Sequence, residues 1–217
     1  MLGALYLNIL VIKMNEKLIE YIENNILPEY SKNESGHGIE HINYVINRCL
    51  KFAEQFDNID LNVLYAIACF HDIAHYTDKN NHEILSAQIF YDNEDMKLFF
   101  SDEEKLVIKE AIEDHRASAS HQPRSDYGKI ISSADRSTSV EEFFKRTHSY
   151  TLKHYPGLTI EQIVERGYEH TKDKYGSDGY AKSYVYDIEY DNFLSQINEL
   201  LSDVTKFKNV YKQINKV

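Results

Sequence analysis

The chain has 217 residues, 42% of them hydrophobic and 27% charged, an ordinary globular mix long enough to bury one sizeable core. Its net charge of −11 argues against general, charge-driven binding of nucleic acid. The two cysteines, Cys49 and Cys69, lack CxxC spacing and read as small buried apolar residues, which fits a reducing cytoplasm. Residues 2–12 form an apolar run too short to cross a membrane, with no basic lead and no small-residue cleavage site. Residues 1–13 therefore read as a mis-called start or a short extension packed on the surface, and no membrane association is expected.

With 3 prolines, 8 glycines and no alternating strand pattern, the sequence predicts an all-α fold. Asn15 caps a first helix over residues 15–25, and Ser35 to Gly38 is a turn. A second helix spans about residues 40–56, with Ile42, Val45, Cys49 and Ala53 on its inner stripe. The third, residues 60–73, is apolar nearly all round and belongs at the centre of a domain. Further helices are expected at 82–93, 101–115, 127–137, 140–154, 159–174 and 187–208, the one at 101 opening on a Ser101/Glu104 capping box. With no linker or repeat, residues 14–217 read as one helical domain, those beyond about 155 being additional packing helices.

Four residues of metal-ligand type, His41, His71, Asp72 and Asp135, lie in or beside these apolar helices. Each alone has an ordinary reading. His41 and His71 could be hydrogen-bonded core histidines, Asp72 a solvated helix end, and Asp135 a cap or a partner of Arg136. Neighbours on a helix point about 100° apart, so His71 and Asp72 do not touch side by side, yet both can reach an ion over the helix end.

The segments EHINYV, FHDIAH and SSADR, in that order and spacing, resemble the HD-domain superfamily of metal-dependent phosphohydrolases over about residues 36–137. The resemblance implies a compact helical bundle of the HD type, as a small single-domain member. It implies that His41, His71, Asp72 and Asp135 hold a divalent ion (Mn²⁺, Mg²⁺, Fe²⁺, Co²⁺, Ni²⁺ or Zn²⁺), one or two per chain. The implied reaction is attack of metal-bound hydroxide on phosphorus in a nucleotide or another small phosphorylated metabolite. Asp72 would also orient the attacking water. His75, His82 and His115 are expected to line the pocket, as proton donors, phosphate contacts or ligands of a second ion. Arg116, Arg124, Lys129 and Arg136 are the candidate phosphate cations, with Arg116 and Arg136 closest in sequence to site residues. A homodimer is compatible with this reading. The alternatives are a ligand-binding module with a structural metal and, at a di-iron site, oxygen chemistry. The chain departs from close relatives where ADRSTS replaces the more usual ADRLDA and where Ala74 stands in place of a glycine before His75.

Overall fold

The computed structural model describes residues 14–34 and 36–217, so the reading of residues 1–13 falls outside it. Among the described residues the secondary structure is helical, without strands, as the scarcity of helix breakers predicts. The chain divides into two units. The first runs to Asp135 and takes in Tyr184–Tyr186; the second comprises Arg136–Ser183 and Asp187–Val217. No Pro- or Gly-rich stretch marks the step from Asp135 to Arg136, so the sequence pattern carries no sign of the division. No helix of the described residues is long and apolar enough to cross a membrane.

The first unit holds α1 (Glu16–Asn25), α2 (Ile39–Ala53), α3 (Leu61–Phe70), α4 (His82–Asp92), α5 (Asp102–Asp114) and α6 (Asp126–Ala134). Every residue of α3 from Val63 to Phe70 is buried, and the helix packs against the other five. A helix apolar on all sides finds its partners only at the centre of a unit. Asp60 fixes its start by accepting hydrogen bonds from the backbone of Asn62 (2.7 Å) and Val63 (3.3 Å).

The sequence reading carries α3 on to Ile73, but the helix stops at Phe70. Groups from elsewhere take the backbone atoms that a further turn would use. The Tyr30 hydroxyl donates to Cys69 O (2.9 Å) and accepts from Asp72 N (3.3 Å), while Ser86 Oγ accepts from Ala74 N (3.1 Å). Tight turns follow, with His75 N bonded to Asp72 O and Thr77 N to Ala74 O.

Two arginines fix the two ends of α6. Arg48, buried on α2, donates through Nε to Ala134 O (3.0 Å) and through Nη2 to Ser133 O (3.4 Å), satisfying last-turn carbonyls that the helix itself leaves open. Arg124 ties α5 to the start of α6, meeting the buried Asp114 carboxylate through its backbone N (2.7 Å) and its Nε (2.9 Å). Gly128 lets these parts close up, since a Cβ there would stand 2.8 Å from Asp114 Oδ2.

The second unit holds α7 (Val140–His154), α8 (Ile160–Tyr175), α9 (Ile188–Leu201) and α10 (Val204–Asn215), around an aromatic core that includes Phe143, Phe144, Phe193, Phe207 and Tyr211. The single helix expected over 187–208 is two. Asp203 ends the first and caps the second, its side chain accepting from Thr205 N (2.9 Å) and Lys206 N (3.0 Å). Within this unit Tyr211 lies against α8 so closely that a Cβ at Gly167 would come within 2.6 Å of its ring. Gly167→Ala would gain about 1 kcal/mol of helix propensity, against about 1–3 kcal/mol for overpacking a buried ring. The variant is therefore expected to unfold at lower denaturant than the wild type, and a raised midpoint would contradict the packing described.

Candidate metal centre

Five helix ends of the first unit deliver the site. His41 lies in the first turn of α2, His71 caps the end of α3 with Asp72 next to it, and His82 opens α4. His115 and Asp135 cap the ends of α5 and α6. Helix ends leave backbone carbonyls without partners, and two of the histidines use them. His71 Nδ1 lies 2.8 Å from Ala68 O, and His115 Nδ1 lies 2.6 Å from Ile112 O. His82 Nδ1 meets Lys79 O at 3.0 Å. A carbonyl only accepts, so in all three rings Nδ1 carries the hydrogen and, in the neutral ring, Nε2 presents a lone pair.

Those lone pairs converge on Asp72, which is 2% exposed. Asp72 Oδ1 is 3.3 Å from His82 Nε2 and 3.4 Å from His115 Nε2, and these two nitrogens are 3.1 Å apart. Asp72 Oδ2 is 3.7 Å from both His41 Nε2 and His71 Nε2. His41 Nε2 is 3.1 Å from Asp135 Oδ1. Two sets capable of holding a cation result, His41/His71/Asp135 and Asp72/His82/His115, with a third, His37/His41/Asp72, overlapping them.

The donors fit a divalent ion on three observations. His71 Nε2 is fully buried and makes no hydrogen bond. Ligands about 2.1 Å from an ion stand roughly 3.0–3.4 Å apart in octahedral or tetrahedral shells, which is the spacing of the closest donor pairs here. Two imidazole lone pairs 3.1 Å apart also repel unless a proton or a metal ion lies between them.

Electrostatics agree with a charged, water-poor centre. Burial alone would raise the Asp72 carboxyl, but His71, His115 and His37 hold it well below the ordinary range. Burial is likewise overridden at Asp135, whose carboxyl His41 and His71 hold below that range. Burial pushes His71 down to about 4, against a partly opposing Asp72. Burial and then His37 push His75 down to about 3. His82 is lowered by burial and by His115, whereas His115 is raised, its burial outweighed by the bond to Asp72.

The structure thus gathers His41, His71, Asp72, Asp135, His82 and His115. His75 stands beside them, stacked on His37 with ring centroids 3.7 Å apart and edge-on to His82 at 5.1 Å. The candidate phosphate cations fare differently. Arg116 follows His115 but is held by both oxygens of Glu83 (3.0 and 3.1 Å) and by Asn80 O. Arg124 is engaged by Asp114 and Glu113, and Lys129 by Asp126, so carboxylates already neutralise both. Arg136 belongs to the second unit, where its Nε donates to Lys182 O. The residue absent from the sequence reading is His37, whose Nδ1 lies 2.7 Å from Asp72 Oδ2. Its position four residues before His41, between two glycines, was the available signal.

An all-helical unit that focuses histidines and aspartates on a buried cation site defines a class of metal-binding helical domain. Residues 38–139 match the family model described as HD domain, so this segment is an HD domain, of a superfamily most of whose members are metal-dependent phosphohydrolases. No curated protein and no solved structure matches the chain.

The depressed histidines set a pH dependence for the metal-free protein. For His71 and His75 the folded pKa lies below the ordinary 6.5, so the unfolded chain binds the extra proton more readily. Their contribution is complete above that value and declines as pH falls towards 4. His115, with a raised pKa, contributes in the opposite sense, below 6.5 and declining as pH rises. The paired carboxylates lose their contribution only below about 3.8. Chelator-treated protein is therefore expected to lose stability on the order of 3 kcal/mol for each of the His71 and His75 rings between about pH 6.5 and about pH 4. Denaturant midpoints that stayed level across that window would refute the buried, neutral state of these rings.

Proposed function

We propose that the chain is a metal-dependent phosphohydrolase that cleaves a phosphoester or phosphoanhydride bond in a nucleotide or another small phosphorylated metabolite. The observation that supports this most directly is the placing of Asp72 between two donor sets, Oδ2 towards His41 and His71 and Oδ1 towards His82 and His115. An ion bound there supplies Lewis-acid polarisation of a phosphoryl oxygen and lowers the pKa of a water it holds. Imidazoles mixed with carboxylates favour a transition ion such as Mn²⁺, Fe²⁺, Co²⁺ or Zn²⁺ over Mg²⁺.

The remaining roles belong to the side chains. His82 and His115 are assigned to a second ion rather than to proton transfer, because a lone pair that ligates cannot also carry a proton. His75, held near 3 by burial, is neutral at neutral pH and is assigned a wall of the pocket rather than the proton donor to the leaving group. Arg116, beside His115, is the phosphate-facing cation of this proposal, with Glu83 as its resting counterion.

The test is metal analysis of the purified protein, followed by phosphate and pyrophosphate release from a nucleotide panel with Mn²⁺, Mg²⁺, Co²⁺ and Fe²⁺. Turnover is expected to need the added ion, and Asp72→Ala and Asp135→Ala are expected to lose about 100-fold or more in kcat/KM, matching the several kcal/mol an ion supplies. No turnover across a broad panel, or variants as active as the wild type, would end the reading.

A further inference from the structure

The Asp72 carboxylate serves both donor sets only if its plane is fixed, and the terminal torsion of an aspartate is soft. His37 is the neighbour placed to fix it. Its Nδ1 is 2.7 Å from Asp72 Oδ2, closer than His41, His71, His82 or His115 comes to that carboxylate. An ionised carboxylate only accepts, so the His37 Nδ1 carries the hydrogen. Where His71, His82 and His115 turn their Nδ1 hydrogens to backbone carbonyls, His37 turns its own to the carboxylate.

The loop is built for this approach. Gly36 takes a positive φ of 99°, which only glycine adopts at no steric cost, and His37 N closes a turn on Glu34 O (3.0 Å). The Asn33 amide donates to both His37 O (2.9 Å) and Asp72 O (3.1 Å), stapling the two backbones together. Its Oδ1 accepts from Tyr76 N (2.9 Å), beyond the doublet. On the other side the His37 ring lies flat on His75, with an interplanar angle of 16°. Contacts from three directions thus hold a side chain that remains 31% exposed.

We infer that His37 is a positioning residue for the metal centre: its Nδ1–H holds Asp72 Oδ2 so that the two carboxylate oxygens face separate donor sets. This rests on the metal-centre part of the proposed function and is independent of the reaction assigned to it. Asparagine places an amide N–H where the histidine Nδ1 stands, whereas glutamine carries it one bond further out, so the two variants separate the hydrogen bond from mere polarity.

The experiment is calorimetric titration of chelator-treated wild type, His37→Ala, His37→Asn and His37→Gln with Mn²⁺, with thermal unfolding of each metal-free protein alongside. Affinity is expected to fall about 10–100-fold in the Ala and Gln variants, the range seen when a group orienting a metal ligand is removed, and to return largely in the Asn variant. Should His37→Ala fail to fold, the Gln and Asn pair carries the comparison. Wild-type affinity in the Ala or Gln variant, or an Asn variant as weak as Ala, would overturn the role of His37. A wild type that takes up no Mn²⁺ would overturn the metal centre beneath it. A His37-dependent affinity in a protein that hydrolyses no phosphate would sustain this inference and remove only the phosphohydrolase reading.

Discussion

Everything at the site follows from keeping one carboxylate charged where water hardly reaches. Asp72 is almost wholly buried, and an ionised carboxylate in such a place costs several kcal/mol unless opposite charge or hydrogen bonds meet it. His37 meets part of that need by donating its Nδ1 hydrogen, but the neutral rings of His71, His82 and His115 do not. Carbonyls fix the tautomers of His71, His82 and His115, so that in their neutral forms these rings turn lone pairs, not hydrogens, towards the carboxylate. Negative density faces negative density until a cation enters. This is the physical content of the statement that the donors suit an ion, and it distinguishes the cluster from a set of satisfied core histidines.

The fold makes such an arrangement affordable by bringing it to helix ends. There the backbone already has carbonyls without partners, and each histidine that takes one relieves the helix while orienting its own ring. The apolar α3 anchors the centre of the unit, and Tyr30 and Ser86 stop it where the doublet must turn. Arg48 performs the corresponding task at the end of α6, capping the carbonyls just before Asp135. Positioning is therefore done largely by buried polar side chains with no direct part in binding an ion.

The helical character of the chain and the region of the site were legible because apolar periodicity and ligand-type residues coincide. α3 shows this best, since a helix apolar on every face predicts both its central place and the burial of the doublet at its end. Other features depended on partners distant in sequence. His37 reads as a turn residue until Asn33 and Asp72 are seen around it, and nothing in the sequence marks Arg48 as the residue that closes the end of α6. The candidate phosphate cations show the same limit in reverse. Charge made Arg124 and Lys129 candidates behind the sequence-adjacent Arg116 and Arg136, but only the fold shows that Asp114, Glu113 and Asp126 already hold them. Local capping also decided the break at Asp203, where a continuous apolar pattern concealed two helices.

The delivery of donors from separate helix ends has a consequence for how the chain folds. His41 and Asp135 lie about ninety residues apart, and closing a loop of that length carries an entropy cost that grows only slowly with length but must be met before the contact gives anything back. An ion held between them would act as a reversible cross-link, tying the first turn of α2 to the last turn of α6 much as a disulfide ties distant segments of a secreted protein. Unlike a disulfide it would survive reducing conditions, and its contribution would rise with the concentration of free ion. The folded population of this unit would then follow metal supply, making the abundance of the protein itself a readout of the ion it binds.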